Sequence, residues 1–234
     1  MEIGMQNSIT PSPLYIEKVY DRLLEAITSG DLKPGERVRQ SVLADRLGVS
    51  RQPISHALQL LRHQGLVRDA GKQGVEVSPV NPDYIVHLYR ARVSLEASAS
   101  AMAAQRMKEG LASADDISGL NEAVQLGISA MKLNAPLSVL VKADFRFHMA
   151  IYRLSGNPAI EQMMAGQWPH LMRSMMAVLN DPGVPVRAWQ EHQAIAEHIL
   201  NGNVDDAFHS ATRHIERAGR DLNRRLNEGI GSVT

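Results

Sequence analysis

The stretch that decides the fold of the first part of the chain is residues 40–63, QSVLADRLGVSRQPISHALQLLRH. Its apolar residues recur at three- and four-residue steps on both sides of Gly48, which is typical of two short helices separated by a tight turn. Ser50 is suited to cap the second helix, and Pro53 falls in its first turn, where backbone donors lack helical partners. The sequence therefore predicts a helix-turn-helix.

The second of these helices is predicted to have two distinct faces. Its apolar face is formed by Ile54, Ala57, Leu58 and Leu61. Its opposite face is polar, able to hydrogen-bond, and formed by Arg51, Gln52, Ser55, His56 and Gln59. Because a helix of this kind enters the major groove in helix-turn-helix proteins, the polar face is the predicted DNA-reading surface.

Elements on both sides complete this module. An amphipathic helix precedes it, with apolar residues from Ile16 to Ile27 at helical spacing, and Pro34-Gly35 forms a turn. Two short strands are predicted after it, at residues 66–69 and 75–77. The segment between the strands, residues 70–74, would form the tip of a wing. Lys72 and Gly74 lie at this tip and are predicted to contact DNA.

Charge and composition limit the function further. The net charge is zero, but residues 37–72 carry seven Lys and Arg against two Asp. This local excess is either a phosphate-binding surface or a solvated basic face. The chain has no Cys, which excludes disulfides and thiolate zinc sites and fits a reducing compartment. Because there is no apolar run of about 18 residues and no signal peptide, a cytoplasmic protein outside the membrane is predicted.

The second part of the chain reads as helical throughout. Pro79 and Pro82 mark a junction, after which helical periodicity predicts six helices and no credible pair of strands. The six predicted helices are residues 83–108, 113–132, 137–154, 158–179, 185–200 and 204–227. The predicted architecture is thus mainly α, with a flexible N-terminus (1–13), a winged helix-turn-helix (14–79) and an all-α bundle (80–234).

Histidines concentrate in the predicted bundle, which holds seven of the nine. Asp144 and His148 share one helix face because they are four residues apart. His192 lies ten residues before Gly202 and His214 eleven after Asn203, so a helical hairpin brings them to the same level. One Asp and three His from three helices form a coherent metal site, although each alone is more often a surface or core residue.

A decoy for this site has the same local spacing. Asp205 and His209 are also four residues apart, but they fall in the first turns of the last predicted helix. There Asp205 is better suited to cap the helix or to offset its dipole.

The first part of the chain resembles the winged-helix domain of GntR-family transcription regulators over residues 14–78. The motifs that carry the resemblance are residues 29–35 (SGDLKPG), 43–54 (LADRLGVSRQPI), Ala57-Leu58 and 65–67 (GLV). The resemblance implies that arginines at the start of the second helix and in the recognition helix contact DNA. Arg51 matches one of them. Ser41 and Ser55 depart from the common pattern, and Arg39 and His56 lie beside them as candidate substitutes.

The second part resembles the effector domain of the FadR-type branch of the same family. The matching motifs are residues 92–96 (RVSLE), 144–148 (DFRFH), 155–158 (SGNP), Glu191-His192 and His214-Ile215. The resemblance implies that Asp144, His148, His192 and His214 bind a metal ion and that a carboxylate effector completes its coordination. It also implies that Arg92 contacts this carboxylate. The alternative for Arg92 is an ion pair with Glu96, four residues on.

Three functions follow, in order of preference. The first is a dimeric, ligand-responsive regulator that binds double-stranded operator DNA and a small organic acid. Of the two kinds of regulator, a repressor is favoured over an activator. It would hold one divalent ion per chain, with zinc favoured over nickel, manganese or iron. The second is a metalloenzyme with an added DNA-binding domain, although the sequence has no His-Glu-x-x-His or Gly-x-Ser-x-Gly motif. The third is a regulator whose metal is purely structural.

Overall fold

The computed structural model describes residues 13–71, 74–179 and 183–231. The chain divides into two compact units at the boundary between Pro79 and Val80. The predicted flexible N-terminus therefore lies almost wholly outside the described residues, and so does Lys72 at the predicted wing tip. No helix among the described residues is long and apolar enough to cross a membrane.

The first unit is a winged helix-turn-helix, as predicted. Its elements are α1 (Pro13–Ser29), β1 (Arg37–Val38), α2 (Gln40–Leu47), α3 (Arg51–His63), β2 (Val67–Asp69) and β3 (Val75–Val77). The core forms where α1 packs on α3, because the apolar stripes of the two helices face each other. The buried residues of these stripes are Val19, Leu23, Ile27, Ile54, Ala57, Leu58 and Leu61.

The turn between α2 and α3 depends on Gly48. Its φ of 64° is left-handed, a conformation that glycine adopts without a steric penalty. The Gly48 N–H donates to backbone carbonyls in the last turn of α2, those of Ala44 and Asp45, and the helix ends there. Ser50 occupies the N-cap position of α3 with an extended backbone, but its side chain makes no capping hydrogen bond. The predicted position of Ser50 is therefore right, and the predicted side-chain cap is absent.

The wing contains one strand more than the sequence predicted. The sheet order is β1-β3-β2, and Arg37 and Val38 pair antiparallel with Glu76 and Val75. A strand of two residues is too short to show the alternation of apolar and polar residues by which strands are recognised in a sequence. The sequence therefore did not predict β1. Gly74, with φ of 96°, accepts a hydrogen bond from Ala70 N–H and narrows the hairpin tip.

The second unit is an all-α bundle, as predicted, but it has seven described helices rather than six. They are α4 (Pro82–Lys108), α5 (Ala114–Lys132), α6 (Leu137–Leu154), α7 (Pro158–Ala165), α8 (Trp168–Val178), α9 (Gly183–Leu200) and α10 (Val204–Gly231). The predicted helix over residues 158–179 is wrong, because it breaks at Gly166-Gln167. Pro169 has no N–H to donate to the carbonyl of Ala165, so the chain starts a new helix there.

One close packing contact holds α9 in place. The indole ring of Trp189, which is fully buried, lies directly on Gly127 of α5. A Cβ added at Gly127 would lie 1.9–2.2 Å from the ring, so only glycine permits this approach. Because His192 follows Trp189 by one helical turn, the contact also positions His192 in the bundle.

Candidate metal centre and DNA-binding helix

Three histidines converge inside the bundle. His148 on α6, His192 on α9 and His214 on α10 are buried, and each offers one nitrogen within 4.8 Å of the others. The Nε2 atoms of His192 and His214 are 3.1 Å apart. They meet because Gly202, with φ of 69°, turns the chain so that α9 and α10 form a hairpin with both histidines at one level.

Asp144 lies beside this cluster, one turn before His148 on α6. Its Oδ1 is 3.5 Å from His192 Nε2 and 3.9 Å from His148 Nε2. Its Oδ2 is buried and has no hydrogen-bond partner. A buried carboxylate oxygen without a donor is costly, and a bound cation would satisfy it. The structure thus brings Asp144 close to two of the three histidines with which the sequence grouped it.

Two glutamates fix the orientation of two of the rings. Glu96 Oε2 lies 2.9 Å from His148 Nδ1, and Glu191 Oε2 lies 2.7 Å from His214 Nδ1. A carboxylate accepts, so in each ring Nδ1 carries the hydrogen and Nε2 is left with its lone pair facing the cluster. Carboxylates orient metal-binding histidines in this way.

Sequence reasoning did not find these two roles. Glu96 was identified only as an ion-pair partner of Arg92, and Glu191 only as a matching residue next to His192. The sequence carried a signal only at Glu191, which is adjacent to His192, because Glu96 stands 52 residues before His148. However, Glu191 bonds to the histidine of the neighbouring helix, and only the packing of α9 on α10 shows this.

Burial favours the neutral, metal-binding form of two of the histidines, His192 and His214. Burial lowers the pKa of His192 well below its ordinary value, and the neighbouring His214 and His148 lower it further. Burial also lowers the pKa of His214, against the opposing effect of Glu191. Neutral imidazoles and a carboxylate are ligands for zinc, nickel, manganese or iron. The four side chains therefore fit a divalent ion in donor type.

Arg92 and Glu96 form an ion pair at the centre of the bundle, where each is 1% exposed. Arg92 donates to Glu96 Oε1 through Nε at 3.1 Å and Nη2 at 2.8 Å, and the Tyr152 hydroxyl donates to the same oxygen. The guanidinium also lies over the rings of Tyr89 and Trp168, at 5.0 and 4.8 Å. Burial alone would raise the pKa of Glu96, but His148 and Arg92 lower it below its usual range.

A small cavity of about 70 Å³ opens onto these groups. Arg92 lines it together with three of the four candidate ligands, Asp144, His148 and His214. The rest of the wall contains two ion pairs, Arg187 with Asp221 and Arg217 with Glu191, and apolar side chains such as those of Met175, Leu179 and Leu222. The two roles considered for Arg92 are therefore compatible, since it pairs with Glu96 and also faces the cavity.

The decoy pair lies apart from this centre. His209 Nδ1 is 2.7 Å from the backbone oxygen of Asp205, and the His209 side chain is exposed. The ring does not belong to the histidine cluster. The spacing of four residues thus leads to a bond between the ring and the helix backbone, and Asp205 lies in the first turn of α10, where the sequence analysis expected it to cap the helix or offset its dipole.

The predicted DNA-reading residues lie on the surface of the first unit. Arg51 and Gln52 at the start of α3 are exposed, and Ser55 and His56 are partly exposed on the next turn. Arg39 is exposed immediately before α2, Ser41 is partly exposed in its first turn, and Gly74 is exposed in the wing. The buried face of α3 is the one that packs on α1, so its polar face remains free to enter a groove.

Part of the basic excess is neutralised within the unit. Arg62 pairs with Asp69 at 3.0 Å, and Arg68 pairs with Glu76 at 2.6 Å. Within the described part of the unit, no ion pair involves Arg39 or Arg51. Uncompensated positive charge in the described part of the unit therefore lies where α2 and α3 begin, and also at Arg37 on β1.

Comparison with known proteins assigns both units. The family model of the bacterial regulatory proteins of the gntR family matches residues 15–77, and the FCD domain model matches residues 87–217, more than half of the chain. The chain is 25% identical to the uncharacterized HTH-type transcriptional regulator YdhC of Bacillus subtilis, over 94% of this chain and 95% of YdhC. It is 23% identical to LutR of the same organism, over 87% and 99%.

The fold is also shared with solved structures. McbR/YncC of Escherichia coli superposes with a TM-score of 0.78 at 20% identity, over 91% of this chain and 98% of McbR. At this identity the similarity establishes the fold alone.

The buried ion pair makes a prediction about stability. Glu96→Gln leaves the Arg92 guanidinium buried without its counter-charge, and we expect it to lower the free energy of unfolding by about 3–5 kcal/mol. Urea denaturation measures this change. The control is Glu161→Gln, which removes an exposed ion pair with Arg153 and should cost less than about 1 kcal/mol. Equal effects of the two substitutions would contradict the central role of Glu96.

Proposed function

Because this chain belongs to the GntR family of bacterial regulatory proteins and carries an FCD domain, we propose that it is a metal-bearing repressor that a small organic acid releases from operator DNA. It is a DNA-binding transcription regulator with an effector-binding domain. We assign DNA binding to residues 14–79, and effector binding and dimerisation to residues 80–234. The protein would act as a homodimer in the cytoplasm, where its operator DNA is located.

One observation carries the proposal for the effector site. A small cavity in the bundle is lined at once by Arg92 and by Asp144, His148 and His214. An arginine and a metal site facing the same small space provide two separate attractions for a single carboxylate. The small volume of the cavity favours an acid of few atoms over a long-chain ligand.

We propose that Asp144, His148, His192 and His214 hold one divalent ion per chain. Zinc is favoured by the imidazole-rich set, and nickel, manganese and iron are the alternatives. When bound, the ion would act as a Lewis acid with room for a carboxylate oxygen. Arg92, whose Nε and Nη2 are held by Glu96, has further N–H groups for the same carboxylate.

Two candidate bases near the centre are already engaged, which argues against a metalloenzyme. Hydrolysis at a metal centre needs a general base that can take a proton from water. Glu96 accepts bonds from Arg92, Tyr152 and His148, and Glu191 accepts bonds from His214 and Arg217. We therefore propose that the acid binds without reacting, and that its binding alters the affinity for DNA through coupling between distant sites.

The recognition helix makes a prediction about DNA affinity. Arg51→Ala removes an exposed guanidinium at the start of α3, and we expect a loss of about 1–3 kcal/mol in operator binding if Arg51 reads a base. Fluorescence anisotropy with a labelled operator measures the affinity. Arg220→Ala, which removes an exposed arginine of the bundle, is the control and should leave operator affinity unchanged. Unchanged affinity of the Arg51 variant would show that α3 does not read the operator.

The metal site makes a prediction about metal content. Wild-type protein loaded with zinc and then dialysed should retain one ion per chain, as measured by elemental analysis. His192→Ala should lose the ion, because it removes one of four ligands, whereas His209→Ala should retain it. Circular dichroism should show that both variants keep their helices. Equal metal content in wild type and His192→Ala would rule out the site, and so would loss in His209→Ala alone.

The effector makes a prediction about DNA release. We expect one or more small organic acids, titrated against the metal-loaded protein on its operator, to lower DNA affinity, while the corresponding amides have no effect. Protein stripped of metal by a chelator should respond less. Chromatography of the acid after incubation should return it unchanged. Conversion to a product would favour the enzyme, and an equal response without metal would leave the ion a purely structural role.

A further inference from the structure

His192 is held in place differently from the other two histidines of the cluster. Glu96 accepts from Nδ1 of His148 and Glu191 accepts from Nδ1 of His214, whereas the buried Nδ1 of His192 has no hydrogen-bond partner among the described residues. The Nε2 of His192 does contact His214, at 3.1 Å, but this is the atom that would bind the ion. A carboxylate therefore orients two of the imidazoles, and something else must orient the third.

Two aromatic rings surround the imidazole of His192. Phe147 stacks on it, with 4.2 Å between the ring centroids and 25° between the planes. Trp189, one turn earlier on α9, stands perpendicular to it at 4.7 Å and 87°. All three side chains are at most 2% exposed. Because a protein interior is close-packed, the imidazole cannot turn without displacing one of these rings.

The position of Trp189 is itself set by α5, which packs on α9. The indole atoms Cζ2, Cη2 and Cζ3 approach Gly127 so closely that an added Cβ would lie 1.9–2.2 Å from them. These atoms lie at the end of the side chain that is farthest from the α9 backbone. The missing side chain at Gly127 thus gives the indole its place, and the indole limits the space that is left for His192.

We infer that Gly127, Trp189 and Phe147 are positioning residues of the metal centre. They do not bind the ion, but their packing holds His192 with its Nε2 directed into the histidine cluster. Through this contact α5, which supplies none of the four proposed ligands, contributes to the affinity for the metal. The inference rests on the proposed metal site and adds the packing that determines its geometry.

The test changes the size of both partners in the contact between α5 and α9. Gly127→Ala places a methyl group where the indole lies and displaces it towards His192. Trp189→Phe shortens the ring and leaves a gap over Gly127. Each substitution should raise the zinc dissociation constant of the full chain by about tenfold or more, the usual effect of removing a group that orients a metal ligand. Competition with a chromophoric zinc chelator measures this constant.

The double variant Gly127→Ala/Trp189→Phe separates positioning from general damage. The added methyl group occupies the space that the shorter ring leaves, so the two substitutions should compensate each other. The zinc dissociation constant should return to within about threefold of wild type. Visible absorption of the cobalt-loaded protein gives an independent measurement, because these bands depend on the ligand geometry. The single variants should shift the bands, and the double variant should restore them.

Leu120→Ala is the control for a loss of stability alone. It removes a fully buried side chain of α5, seven residues before Gly127, and should lower the midpoint of urea unfolding without changing zinc affinity. If Gly127→Ala does not fold, the loss of affinity in Trp189→Phe and its recovery in the double variant decide the question.

Two results would overturn the positioning role and leave the metal site standing. One is wild-type zinc affinity in the single variants, and the other is a double variant that binds zinc no better than Trp189→Phe. A wild-type protein that binds no zinc would overturn the metal site and the positioning role together.

Discussion

The bundle depends on one buried carboxylate, that of Glu96. Glu96 is 1% exposed, and a charged group at such a position is tolerated only if opposite charges and hydrogen-bond donors surround it. Arg92 supplies the charge from the previous turn of α4, and Tyr152 and His148 supply donors from α6. The consequence is geometric as well as energetic. The same carboxylate that neutralises Arg92 also turns the Nε2 of His148 towards Asp144 and His192.

This arrangement links the side chain that we assign to effector binding with one that we assign to metal binding. The arginine that we assign to the effector and a histidine that we assign to the metal share one anchor, so neither can shift without disturbing the other. Glu191 has the same role at His214, but it is partly exposed and also bonded by Arg217 at the cavity wall. A ligand that enters the cavity would therefore contact side chains that are already hydrogen-bonded to side chains of neighbouring helices. Small changes at such a site can bias the orientation of packed helices.

The sequence predicted what depends on helical spacing. Asp144 and His148 are four residues apart, and His192 and His214 are nearly equidistant from the turn at Gly202, so their approach follows from helix geometry alone. It could not predict what depends on packing between helices, such as the bond from Glu191 to His214. Short elements were also missed, because two residues of β1 carry no periodicity and the break at Gly166-Gln167 carries only a weak signal. Ser50 shows the same limit, since its residue type suits a cap that its side chain does not make.

The central claim is that three imidazoles and one carboxylate inside the bundle bind a divalent ion. X-ray absorption spectroscopy of the zinc-loaded protein tests it most directly, because imidazole rings give a distinctive scattering pattern beyond the nearest atoms. The account predicts three imidazole nitrogens at about 2.0–2.1 Å together with oxygen ligands, with one zinc per chain. A zinc ion surrounded by oxygen alone, or a protein that retains no zinc, would contradict it.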